Sequence, residues 1–306
     1  MATVPLTRRR LRVLGFLSPW LVGFAVFLLY PLVTTVYLSF TNADLLQPAE
    51  WVGTRNYVHM FTEDPYVGRS ALNTLWMIAV MVPAQVLFAL GVAMVLVRLK
   101  SGAGFYRTLF YLPSLAPPVA ATVAFVFLFN PGTGPVNTLL DALGIQGPDW
   151  FNSPAWSKPA LTLLSLWGIG NVMVIFLAAL LDVPAELYEA AALDGAGPWH
   201  RFRHVTLPAI SPVLLFSAVT GVIGALQYFT QAMVAAEAAG GIHSGADPGY
   251  PEGSTLTVPQ WIYRTGFTQF HMGYACALAV VLFVVSMTVT VVLLRRSSGF
   301  QPQEGT

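Results

Sequence analysis

The stretch Thr265-Gly-Phe-Thr-Gln-Phe-His-Met-Gly-Tyr-Ala-Cys-Ala-Leu-Ala-Val-Val-Leu-Phe-Val-Val-Ser-Met-Thr-Val-Thr-Val-Val-Leu-Leu294 contains no Asp, Glu, Lys or Arg. A helix needs about 20 apolar residues to cross the hydrocarbon core of a bilayer, and this run exceeds that length. Five more charge-free windows precede it, from Val13 to Ala43, Ser70 to Val97, Thr108 to Leu140, Pro159 to Leu181 and His204 to Ala236. None shows the strict alternation that a barrel strand requires over about 10 residues. The reading is therefore an all-α polytopic membrane protein. Its six transmembrane helices are expected near 14–40, 72–97, 106–129, 160–181, 209–235 and 268–294. A single transmembrane domain over 13–295 would then be flanked by short tails, 1–12 and 296–306.

Composition agrees. Of 306 residues 56% are hydrophobic and 9% charged, whereas soluble domains carry about a quarter charged residues. The same balance excludes intrinsic disorder. A formal net charge of +1 gives no electrostatic basis for binding nucleic acid. The lone Cys276 cannot form an internal disulfide, and no Cys/His cluster has metal-ligand spacing. Arg8, Arg9, Arg10 and Arg12 precede the first window as they would in a signal peptide. The apolar run is too long for one, however, and no small-residue cleavage site closes it.

Orientation follows from the basic residues. With six spans, both termini, the 98–107 turn and the 182–208 loop share one side. That side carries Arg8, Arg9, Arg10, Arg12, Arg98, Lys100, Arg107, Arg201, Arg203, Arg295 and Arg296; the other has Arg55, Arg69, Lys158 and Arg264. The asymmetry places both termini in the cytoplasm. Trp51, Trp150, Trp156 and Trp261 near the span ends fit either an interfacial belt or ordinary packing.

The cytoplasmic segment 182–208 is unlike the other loops. Pro184 suits the first turn of a helix, with Glu186 and Glu189 early in it, favourable to the helix dipole. Glu186 to Leu193 is a good helix former, Gly195 and Gly197 stop it, and a second short helix is expected over Pro198–Val205. The pattern fits either a partner's groove or an amphipathic connector lying on lipid headgroups.

Within that segment Glu189-Ala190-Ala191, Gly195, Val205, Leu207 and Pro208 resemble the EAA loop of ABC importer permeases, with Val205 where the family more often has Ile. Three further stretches resemble carbohydrate-importer permeases of the maltose type: Trp51-Val-Gly-Thr-Arg-Asn-Tyr57, Gly134-Pro-Val-Asn-Thr-Leu-Leu140 and Gly273-Tyr-Ala-Cys-Ala-Leu278. The resemblance covers residues 13 to 295, and the N-terminal layout looks like the first of the two permeases in such a complex. It implies the type I ABC importer permease fold and transport of a sugar, a di- or oligosaccharide. The implied partners are a second homologous permease, two nucleotide-binding ATPase subunits and an extracytoplasmic solute-binding protein. The loop would dock in an ATPase cleft, with Glu189 facing a basic residue and Gly195 permitting the turn. The chain has no phosphate-binding loop of the Gly-rich type with Lys and Ser/Thr. ATP and Mg would therefore be ligands of the partners, and this chain would carry no cofactor and no catalytic residue.

For the substrate, the fifth window places Thr220, Gly224, Gln227 and Gln231 at spacings of four, three and four, one face of a helix with Tyr228 beside it. Asn171 is the one amide in the middle of the fourth window, near Trp167. Amides and hydroxyls beside aromatic faces suit sugar hydroxyls and the apolar ring face. Interhelical hydrogen bonding, with close packing at Gly224, explains the same residues equally well. In the family the sugar contacts come from these two helices, and Asn171, Thr220, Gly224 and Gln227 fall where they lie. Thr230 stands where the family often has Asp. Pro113, Pro117 and Pro118 are expected to shape the third span. An ion-coupled secondary carrier needs buried carboxylates, and all the acids here fall in expected loops or tails. An intramembrane enzyme lacks candidates for nucleophile and base. A polyol or glycerol-phosphate-type solute stays open.

Overall fold

A computed structural model describes residues 6–44, 48–99, 101–241 and 248–297. Lys100, the side chains of Arg8 to Arg12 and of Arg296, and most of the tails expected at 1–12 and 296–306 lie outside what is described. Among the described residues the regular structure is helical, with one antiparallel bridge between Thr41 and Trp51. Helices satisfy their own backbone groups, which hydrocarbon requires of any spanning segment.

Three helices are long and apolar enough to cross a membrane unaided: Gly15–Leu38, Pro65–Arg98 and Met272–Arg295. Three bent pairs reach that length only together: Ala103–Leu115 with Pro118–Leu128 at 99°, Ser157–Trp167 with Gly170–Leu181 at 52°, and Pro198–Ala209 with Ser211–Leu226 at 69°. Counting each pair once gives six spans.

Each bend has a local cause. Ala116 and Pro117 each precede a proline, which disfavours the helical region, and their ψ angles are 134° and 131°. At the second bend, a Cβ on Gly170 would stand 2.8 Å from Ser114 Oγ and from the Tyr111 backbone, so only glycine lets these broken helices approach. At the third, the Pro212 ring would meet the carbonyl of Pro208 in a continuous helix, and Ile210 leaves helical geometry with ψ 2°.

The fifth window does not fold as one helix over 209–235. Ser211–Leu226 ends at Gln227, Phe229 leaves the helical path, and a new helix runs over Thr230–Gly240. That second helix packs its buried Ala232 and Ala235 against Pro118–Leu128.

The chain divides into two compact units. In the first, Met1–Asp64 with Ile262–Phe283, no residue of the Gly15–Leu38 helix is buried. The loop after it is tightly held. Asn56 donates to the carbonyls of Ser39 and Thr41 at 2.8 Å each, Tyr57 shares a 2.7 Å hydrogen bond with Ser39, and Trp51 stacks on Phe40. Gly273 lies against the Thr41 carbonyl with no room for a Cβ, while Tyr274 donates to Asp64 at 2.6 Å.

The second unit, Pro65–Trp261 with Val284–Thr306, holds a core in which Pro65–Arg98 packs against Gly170–Leu181 through Met81, Ala89, Ala93, Met173 and Phe176. One end of it is stapled by Asn73, which donates to the carbonyls of Gly253 and Leu256 at 2.8 and 2.9 Å. The same amide accepts from Lys158 Nζ at 3.1 Å.

Candidate functional site

The loop at 182–208 forms the two short helices expected of it. Pro184 is extended and the first helix is Ala185–Leu193. Gly195 then takes φ +75°, its N–H donating to Ala192 and that of Ala196 to Ala191, at 3.1 and 2.9 Å. This paired closure of a helix by a left-handed residue is the reason a glycine stands there. Pro198 opens the second helix, which continues through a π-helical turn at Phe202–Thr206 into Leu207–Ala209. Arg201 Nε donates to the Ala196 carbonyl at 2.7 Å and fixes the turn from the far side. Tyr188 and Thr206 share a 3.0 Å hydrogen bond between the two helices.

The residues of the loop motif take different stations. Glu189 and Ala190 are exposed, Ala191 and Leu207 are half-buried, and Pro208 is exposed just before the 69° bend. Glu186, Glu189, Ala190 and Leu193 recur at helical spacing, so they share one face. Leu193 is 91% exposed and Trp199 69%. An acidic and apolar surface is thus presented on a braced double helix, uncovered by any of the described residues.

The six residues put forward for the substrate are not brought together. Thr220, Gly224 and Gln227 lie exposed along one side of Ser211–Leu226 and its end, beside Phe216. Thr220 donates its hydroxyl back to the Phe216 carbonyl at 2.8 Å. No heavy atom lies within 4 Å of where a Gly224 Cβ would stand, so close packing there is not found within the described chain. Asn171 is exposed at the start of Gly170–Leu181, directly after a bend rather than mid-helix.

Tyr228 and Gln231 go elsewhere, because the helix breaks between Gln227 and Thr230. They line a cavity of about 200 Å3 with Gln85, Ser114, Ser165 and Trp167. The bends at Ala116 and at Gly168 bound it, which is how residues from four apolar windows meet. Tyr228 is 8% exposed, and its hydroxyl has no partner among the described residues. A buried hydroxyl left unpaired costs about 1–3 kcal/mol. No group of three His, Cys, Asp or Glu side chains among the described residues is placed to hold a metal ion.

The family described as binding-protein-dependent transport system inner membrane component matches residues 67–298. The chain belongs to that family. This permease is 36% identical to the probable ABC transporter permease protein YesP of Bacillus subtilis (strain 168), over 93% of this chain and 89% of that one. It is 34% identical to the sulfoquinovosyl glycerol transport system permease protein SmoG of Agrobacterium fabrum, over 94% and 90%. Its fold matches a chain of a bacterial ABC transporter involved in the import of alginate, with TM-score 0.79, 23% identity, and coverage of 96% and 98%. The permease is thus a multi-pass membrane protein of all-helical importer architecture.

Several residues of the permease were not singled out from sequence. Gln85, Ser114 and Ser165 carry no local signal, since single polar residues in apolar windows are common. Tyr188, Thr206 and Arg201 sit beside the loop motif without belonging to it. The three stretches around Trp51, Gly134 and Gly273 hold structural staples: besides the Asn56 and Gly273 contacts, Asn137 accepts from Trp150 Nε1 at 2.8 Å.

Proposed function

We propose that this permease forms half of the translocation path of an ATP-driven importer for a sugar, a di- or oligosaccharide. It would pair with a second homologous permease, two nucleotide-binding subunits that bind ATP and Mg, and an extracytoplasmic solute-binding protein. Both termini and the 182–208 loop face the cytoplasm. The carrying observation is the loop: a left-handed Gly195 turns two short helices so that Glu189 and Leu193 stand free. Such a surface suits a cleft with a basic residue and an apolar floor. None of the described residues covers that surface, and docking there would transmit ATP-driven movement to the Ser211–Leu226 helix through Leu207 and Pro208.

The sugar reading draws on SmoG, whose name specifies a sulfoquinovosyl glycerol transport system, and on the cavity chemistry. Amide, hydroxyl and indole groups line it, and no Lys or Arg does. The exposed face of Thr220, Gly224 and Gln227 would be covered by the second permease, so that the path lies between two chains.

The test is reconstitution with both permeases, the ATPase subunits and the binding protein. ATP hydrolysis stimulated by sugar-loaded binding protein, with uptake of the same sugar, is the expected result. Uptake that persists without ATP and collapses with an uncoupler would overturn the reading.

A further inference from the structure

A second cavity, of about 520 Å3, opens beside the loop, apart from the intramembrane one. Met94, Val97 and Arg98 line it from the last turns of Val82–Arg98, Leu180 from the last turn of Gly170–Leu181, and Arg201 and Phe202 from the loop. Two features coexist there. Much of the lining is aliphatic and aromatic, and Arg98 and Arg201 contribute the basic part of it. Neither Arg98 nor Arg201 has a carboxylate partner among the described residues, where the ion pair found joins His59 and Glu63. Arg201 spends its Nε on the Ala196 carbonyl, which leaves its terminal nitrogens for another acceptor. On the neighbouring helix, the buried Nε of Arg107 also lacks a partner among the described residues.

A soluble anion would use the guanidinium groups and waste the apolar wall. An apolar segment of a partner would do the reverse. Only a ligand with a phosphate at one end and hydrocarbon at the other uses both, and the cavity lies where spans end and a cytoplasmic loop begins. Basic pockets at that depth recognise anionic lipid headgroups. We infer that this cavity holds an anionic phospholipid, its phosphate between Arg98 and Arg201 and the start of an acyl chain along Met94, Val97, Leu180 and Phe202. The inference rests on the cytoplasmic placement of the 182–208 loop. Since Arg201 also holds the Gly195 turn, bilayer charge would then bear directly on how the coupling surface is presented.

The test is lipid retention by mass spectrometry on the purified permease pair, with and without its ATPase subunits, offered dioleoylphosphatidylglycerol or dioleoylphosphatidylcholine. The wild type should retain the anionic lipid in preference. Arg98→Gln should lower that retention about fivefold, the worth of one basic residue near a lipid surface, and Arg98→Lys should restore most of it. Met94→Trp should lower it by filling the wall while leaving the charge in place. Millimolar inorganic phosphate should not displace the lipid; displacement would make this a free-phosphate site and overturn the inference. Equal retention of both lipids, or retention unchanged in Arg98→Gln and Met94→Trp, would overturn it as well. So would loss of retention when the ATPase subunits bind, because the partner would then be the occupant. Retention is read on the permeases themselves, so failure of the ATPase subunits to copurify would count against the coupling reading alone.

Discussion

The phenol of Tyr188 and the hydroxyl of Thr206 meet at 3.0 Å, eighteen residues apart, and tie the helix bearing Glu189 to the turn that leads into Ser211–Leu226. A force applied to the first helix therefore reaches the second without passing through the Gly195 turn. Tyr188→Phe removes this link and should cost about 1 kcal/mol of loop stability. Sugar binding by the external protein should be unchanged, while ATP hydrolysis stimulated by the loaded protein falls. A double-mutant cycle with Thr206→Val checks it: the two effects should be strongly non-additive.

Charge and turn can be tested separately. Glu189→Lys sets like charge against the basic residue expected in the ATPase cleft. Gly195→Val forces a β-branched residue into φ +75°, which it tolerates poorly although the surrounding space is open. Both variants should assemble poorly with the ATPase subunits and transport slowly. Full stimulation in both would leave the loop without a coupling role.

In the intramembrane cavity, Tyr228→Phe deletes a buried hydroxyl that has no partner among the described residues. The empty permease should melt at a higher temperature, in line with removal of about 1 kcal/mol of penalty or more. Uptake should need more sugar for half-maximal rate if that hydroxyl meets substrate. Gln231→Ala should weaken uptake in the same way. A Tyr228→Phe variant with unchanged uptake would make the hydroxyl a structural feature only.

How much of this was legible in sequence depends on how local the signal is. The six windows needed only the absence of charge, and the loop announced itself through Pro184, Gly195 and Pro198. The bend at Pro117 and Pro118 was foreshadowed by residues that cannot continue a helix, whereas Pro212 was passed over within the helix expected at 209–235. The break at Gln227–Phe229 has no glycine or proline, so helical spacing put Gln231 on the face shared by Thr220, Gly224 and Gln227, from which the break removes it. The cavity was invisible because Gln85, Ser114, Ser165 and Tyr228 lie in four windows, and only three-dimensional bending makes them neighbours.

Asn73 offers a stability test. Its amide serves two carbonyls and Lys158 while 5% exposed. Asn73→Ala would leave all three without it and should cost about 2–3 kcal/mol. Thermal unfolding in detergent is the measurement, and Lys158→Met made alone should cost less.

Topology can be read by thiol chemistry in a Cys276→Ser background. A cysteine replacing the exposed Gln146 should react with an impermeant reagent from outside, and one replacing the exposed Arg203 from the cytoplasm only. The reverse pattern would invert the orientation.

No residue of the helix Gly15–Leu38 is buried among the described residues. It precedes the other five spans in the sequence. Lipid tails accommodate an apolar helix as well as another helix would, so its own hydropathy inserts it, yet no burial against the described residues fixes its rotation about its axis. That rotation is left for a neighbour to set. Synthesised without that neighbour, the chain would display Trp20, Phe24 and Phe27 to the bilayer, the signature of an orphan subunit, and membrane quality-control proteases would shorten its life in the cell.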